Sequence, residues 1–106
     1  MKTIYNKLVR DRIPEIIEAN GQTCVCRTLD EPAYIAALDE KLNEELAEYQ
    51  RDKSMEELAD LLEVIRAVIQ ARGSTYEEVE AIRLDKAQKR GGFHKRNWLI
   101  ETDTPD

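Results

Sequence analysis

Five carboxylates fall in two short runs of this chain: Glu44, Glu45 and Glu48 in EELAE, and Glu57 and Asp60 within EELAD. On a helix, acids at i and i+3 share a face and are separated by only about 4.5 Å along the axis. Four such groups brought together without a counter-charge would repel one another strongly. Around a divalent cation the same groups become ligands. A set made only of oxygen, with neither imidazole nor thiolate, suits Mg²⁺ or Mn²⁺ better than zinc or copper. Pairs at this spacing also leave positions for water and for substrate phosphates.

The elements around these acids decide whether they meet. Asp30 is a suitable N-cap and Pro32 suits the first turn of a long helix predicted to run to about Arg51. Ile35, Leu38, Leu42, Leu46 and Tyr49 recur along it at spacings of three and four. Asp52 and Lys53 supply a turn, and Ser54 with Glu57 forms a capping-box pattern opening the next helix. That helix carries Leu58, Leu61, Leu62, Ile65, Val68 and Ile69 on one stripe and is predicted to stop at Gly73.

With each apolar stripe set at zero, Glu45 lies about 60°, Glu48 about 120° and Glu44 about 160° to one side. Glu57 and Asp60 lie about 90° and 150° round their own helix in the same sense. Two antiparallel helices packed stripe to stripe are related by a two-fold axis, which brings flanks of one sense to the same side of the pair. Heights match as well, because Glu48 and Glu57 are equally distant from the Asp52–Lys53 turn, as are Glu45 and Asp60. With axes roughly 8–10 Å apart, glutamate side chains can meet over one point. For any single acid a solvated face is the simpler account, and for Glu57 a capping role. Two matched pairs at matched heights favour a metal site, with Glu40, Glu56 and Glu63 left at the surface.

A third long helix is expected from Ser74, with Glu77 completing its capping box, to about Arg90, where Gly91 and Gly92 break it. If Tyr76, Val79 and Ile82 form its inner face, Arg83, Lys86 and Arg90 continue that face. Cations so placed would pair with acids of the hairpin or take phosphate oxygens. Arg90 has a plainer role at a helix end with negative dipole. Elsewhere, PEIIEAN predicts a short helix stopped by Gly21, TCVCRTL (23–29) and NWLIET (97–102) are candidate strands able to pair, and ETDTPD is expected to be a loose tail.

The 106 residues suit one domain, 42% hydrophobic and 36% charged, whose modest core favours association. A net charge of −6 argues against a general nucleic-acid binder. Between Asp39 and Glu63 stand ten acids and three bases; between Arg83 and Arg96, six bases and one acid. Such an acidic middle beside basic flanks fits a ligand that is both metal-loaded and anionic. No apolar run reaches the roughly 20 residues of a membrane span, and MKTIYNKLVR lacks a signal peptide's apolar stretch, so a cytoplasmic location is expected. Cys24 and Cys26 are read as reduced structural thiols, since a zinc site would need further ligands and His94 is the only histidine.

Three stretches carry a resemblance to a known family: YNKLVRDRIPEII at 5–17, KLNEELAEYQRDKSMEELADLLEVI at 41–65 and KAQKRGGFHKR at 86–96. Together they resemble the MazG-like superfamily of all-α nucleoside triphosphate pyrophosphohydrolases, in its small house-cleaning or phosphoribosyl-ATP-pyrophosphohydrolase-like branch. The resemblance implies an all-α helical hairpin with flanking helices, assembled as a homodimer or homotetramer. It implies Glu45, Glu48, Glu57 and Asp60 as magnesium ligands and Glu44 as the group positioning water. It also implies that Lys7 and Arg10, with Lys86 and Arg90, contact substrate phosphates. The departure is in spacing, because only eight residues separate Glu48 from Glu57, fewer than in much of the superfamily.

The expected activity is Mg²⁺-dependent hydrolysis of ordinary or damaged (d)NTPs to a monophosphate and pyrophosphate. Phosphoribosyl-ATP is the alternative substrate. A non-catalytic helical module, its acids serving oligomer contacts or a basic partner, is the alternative of another class.

Overall fold

A computed structural model describes residues 1–105. They form four helices, α1 (Ile13–Ala19), α2 (Glu31–Asp52), α3 (Met55–Ala71) and α4 (Tyr76–Arg90), and no strand among the described residues. The chain divides into two compact units, Met1–Ser74 and Thr75–Asp106. No helix of the described residues is long and apolar enough to cross a membrane.

The first unit is built on the α2–α3 hairpin. Asp30 caps α2 by accepting from the Ala33 amide at 3.0 Å, and Pro32 sits in the first turn, where its missing N–H costs nothing. Lys53 ends α2 in the left-handed region at φ 56°, its amide donating to the Tyr49 carbonyl at 2.7 Å. Ser54 then caps α3, accepting from the Glu57 amide at 3.2 Å. A link this short forces the two helices to run antiparallel. An ion pair of 3.0 Å between Arg72 and Asp39 ties the far end of α3 to the middle of α2.

The interior between the helices is sparse: Leu38, Val64 and Ile69 are its buried apolar residues. Two expectations about the stripes need correction. Leu46 is 46% exposed while its neighbour Glu45 is only 7% exposed, so the inward position is held by a carboxylate. On α3, Leu62 faces outward and Val64 is buried, because Leu61, Val64, Ile65 and Val68 follow the three-and-four spacing of a single face.

The two candidate strands are absent. Residues 23–29 and 97–102 carry no regular structure, and Val25, Trp98 and Leu99 are exposed. Alternation alone does not make a strand when no ladder partner satisfies its backbone. Cys24 is half-buried and its thiol donates to the Pro14 carbonyl at 3.9 Å, whereas Cys26 is exposed; both are free thiols.

In the second unit α4 is capped by Thr75, which accepts from the Glu78 amide at 3.1 Å, one residue later than the Ser74–Glu77 pattern predicts. Ser74 is already used to finish α3. Its amide donates to the Ile69 carbonyl and that of Gly73, at φ 84°, to Gln70, the paired bonds of a Schellman motif. No residue of α4 is buried, so Tyr76 and Ile82 do not form the expected inner face. The helix does end at Arg90, ahead of Gly91 at φ 81°. The expected tail is irregular and exposed through residue 105; its last residue lies outside the described residues.

Candidate metal centre

The hairpin brings its acids together. Carboxylate oxygens of Glu44, Glu45 and Glu48 lie within 4.8 Å of one another, and those of Glu45, Glu57 and Asp60 do likewise. Glu45 belongs to both groups, so it joins the acids of α2 to those of α3. The rotational sense and the matched heights around the turn account for this meeting. Glu48 and Glu57 lie nearest the turn, and Glu45 and Asp60 one helical step beyond it.

Burial makes the cluster unusual. Oε2 of Glu45 and Oε2 of Glu57 are both buried without a hydrogen-bond partner. A buried acceptor left unpaired is costly, and one on a carboxylate more so. Burial, then the hydrogen bond and charge of Glu48, push the Glu45 carboxyl above its ordinary value against the pull of Lys41. Glu57 is raised by burial first, then by Glu48, Asp60 and Asp52. For Glu44 burial also acts upward, but hydrogen bonds and charge from Lys41 and Lys7 outweigh it and hold this carboxyl below the usual value.

Three cations touch the acids. Lys7 reaches Glu44 at 3.3 Å and Arg10 reaches Asp60 at 2.7 Å, so the irregular N-terminal arm is tied to both helices. Lys41 is the third, with its ammonium 3.3 Å from Glu44 and 3.4 Å from Glu45. The expected ligands Glu45, Glu48, Glu57 and Asp60 are therefore together, with Glu44, Lys7 and Arg10 at their margin. Arg83, Lys86 and Arg90 are exposed on α4 in the second unit, where Arg83 is held by Glu80 of its own helix at 2.9 Å. Lys41 was absent from the sequence expectations, although its i+3 and i+4 spacing to Glu44 and Glu45 signals it.

As a donor set the cluster fits a hard divalent cation. It offers only carboxylate oxygens, two of them buried and lacking any other partner, and such cations take six or more oxygen ligands. A cation among them would satisfy both orphaned oxygens and relieve the mutual repulsion of the carboxylates.

Among known proteins, no family model matches this chain and no solved structure matches it. An uncharacterized protein of Mycolicibacterium smegmatis is 56% identical over 54 residues, covering 47% of this chain and 55% of that protein. The chain thus spans about half the length of the curated relative it matches.

Proposed function

We propose that this chain is a Mg²⁺-dependent nucleoside triphosphate pyrophosphohydrolase, built on a MazG-like hairpin, that converts ordinary or damaged (d)NTPs to a monophosphate and pyrophosphate. One observation carries the proposal: acids from both helices converge on Glu45, with two buried oxygens unpartnered. The order of acids, E-E-x-x-E then E-x-x-D, agrees with the family the sequence resembles.

In this scheme Glu45, Glu48, Glu57 and Asp60 hold the metal. When bound there, Mg²⁺ supplies charge neutralisation for the triphosphate oxygens and acidifies coordinated water. Glu44, kept ionised by Lys7 and Lys41, accepts a hydrogen bond from the attacking water and so orients it toward the α-phosphorus. A carboxylate whose pKa lies below the ordinary range is better suited to orienting water than to removing its proton. As the water oxygen bonds to the α-phosphorus, the bond from that phosphorus to the bridging oxygen breaks, pyrophosphate departs with that oxygen, and the water's proton is released to solvent. Lys7, whose ammonium has donors beyond the one on Glu44, and Arg10 reach phosphate oxygens of the substrate. Arg83, Lys86 and Arg90 are the second unit's candidates for phosphate contacts.

A homodimer or homotetramer belongs to the same proposal, supported by exposure of Leu46, Leu62, Ile82 and Leu84 on the three long helices. The cytoplasm is where such an assembly would meet its nucleotides.

The test is a panel of canonical, oxidised and methylated nucleotides, with phosphoribosyl-ATP included, incubated with Mg²⁺. Monophosphate and pyrophosphate should appear, and Asp60→Asn should abolish their release. Cleavage of phosphoribosyl-ATP alone would move the assignment to that substrate. No cleavage of any compound, or an Asp60→Asn variant as active as the parent, would reject the enzyme in favour of a non-catalytic module.

A further inference from the structure

Lys41 stands at the boundary between the acidic cluster and a cleft of about 630 Å³ between the N-terminal arm and α2. Asn6, Lys7, Asn43 and Glu44 line the same cleft. The Lys41 side chain is 15% exposed, buried more deeply than any other lysine or arginine engaged with the cluster. Its ammonium spans Glu44 and Glu45, while Lys7 approaches the same Glu44 oxygen, Oε1, from the arm. Two ammonium groups therefore flank one carboxylate oxygen on the wall of this cleft, which Leu8 and Ala37 also line. That is how two cations hold an oxygen of a bound anion, with Glu44 in the anion's place.

The contact with Glu45 has a second consequence. A divalent cation liganded by Glu45 would repel an ammonium lying 3.4 Å from that carboxylate. Lysine can yield, because its charge rides on a flexible four-carbon stem with rotatable donors. We infer that Lys41 is the resident counter-ion of the cluster: it competes with a divalent cation for Glu45 and, once displaced, offers its ammonium to a phosphate-bearing anion in the cleft beside Lys7. Metal loading thereby creates the anion site, and the two ligands bind with positive coupling. The inference rests on the metal reading above but not on any hydrolysis.

The test compares the parent chain with Lys41→Met, which keeps the stem and removes the charge, and with Lys41→Gln. Mn²⁺ affinity is read from the loss of the free-ion paramagnetic resonance signal. Anion affinity is read by calorimetry, titrating magnesium pyrophosphate into Mg²⁺-saturated protein. Both variants should bind Mn²⁺ about threefold or more tightly than the parent, because a competitor has gone. They should bind magnesium pyrophosphate about tenfold more weakly, the loss of one charge-assisted contact. Unchanged or weakened Mn²⁺ affinity, or unchanged pyrophosphate affinity, in a variant with the parent's helical signal overturns the inference while leaving the metal centre standing. A parent that binds no Mn²⁺ overturns both. Should neither variant fold, the ε-methylene resonance of Lys41 in the parent decides: it shifts on adding Mg²⁺ if the ammonium is displaced, and a fixed resonance refutes displacement.

Discussion

Replacing Glu45 by glutamine separates what the cluster costs the fold from what it does with a cation. Glu45 is 7% exposed, its Oε2 has no partner, and its neighbours Glu48, Glu57 and Asp60 are all acids. Glutamine is nearly isosteric. Its carbonyl can keep Lys41, and its NH₂ places a donor where the orphaned oxygen stood. Relief of one unsatisfied buried acceptor is worth about 1–3 kcal/mol, and the new donor faces carboxylates rather than neutral groups. In a domain of this size each kcal/mol shifts the melting point by roughly 4–8 °C. In chelator at neutral pH, Glu45→Gln should therefore melt at least about 4 °C above the parent. With Mg²⁺ the order should reverse. At a hundred times its dissociation constant a ligand adds about 2.7 kcal/mol to the parent, and the variant, lacking the shared ligand, should gain little of it. Paired thermal melts by circular dichroism, with chelator and with saturating Mg²⁺, read both effects. A variant that melts below the parent in chelator would refute the claim that this carboxylate is strained. Equal Mg²⁺ stabilisation in both proteins would remove Glu45 from the ligand set.

The pH dependence follows from the shifted carboxyls. Glu45 and Glu57 titrate above the ordinary 4.5, so their contribution is full below 4.5 and is lost as pH rises through the raised values. Glu44 has the opposite sign, contributing above 4.5 and losing it as pH falls through its lowered value. Melting points in chelator should thus fall from mildly acidic to neutral pH, with Mg²⁺ reducing the fall; a steady rise over that window would contradict the assignment. At the turn, Lys53→Gly should stabilise the hairpin by roughly 0.5–1 kcal/mol in urea unfolding, because a left-handed residue with a Cβ is strained and its contacts to Gln50 and Tyr49 are exposed. A lower urea midpoint would show those contacts to matter more than the strain.

The hairpin was legible because its signals are local. Asp30, Ser54 and the three-and-four spacing each act within a few residues, and the convergence of the acids follows from helical geometry applied to both arms. Other features depend on partners that spacing does not reveal. TCVCRTL alternates as a strand does and NWLIET carries an apolar run, yet they lie in different units and neither has a ladder beside it. The Ser74 cap slipped by one because two overlapping signals, the end of α3 and the start of α4, compete for the same residue. The spacing of Lys41 to Glu44 and Glu45 shows that it can pair with them, but the same spacing serves ordinary surface pairs, and its burial is what sets it apart from one. The expected inner face of α4 rested on apolar periodicity too weak to identify a core-facing stripe.

The arm through residue 12 lies across the hairpin without helix or strand of its own. Its fastenings differ in kind: Leu8 is half-buried, while the links from Lys7 and Arg10 reach carboxylates through side chains that are 43% and 58% exposed. Exposed pairs of that sort contribute under about 1 kcal/mol each, and added electrolyte weakens them over a screening distance of about 10 Å at 0.1 M. Ionic strength therefore acts as a dial on how firmly this strap is buckled, with the leucine as the pin that does not respond. Any affinity measured for ion or anion at the hairpin carries that setting with it, and dilute and concentrated buffers will report on differently fastened molecules.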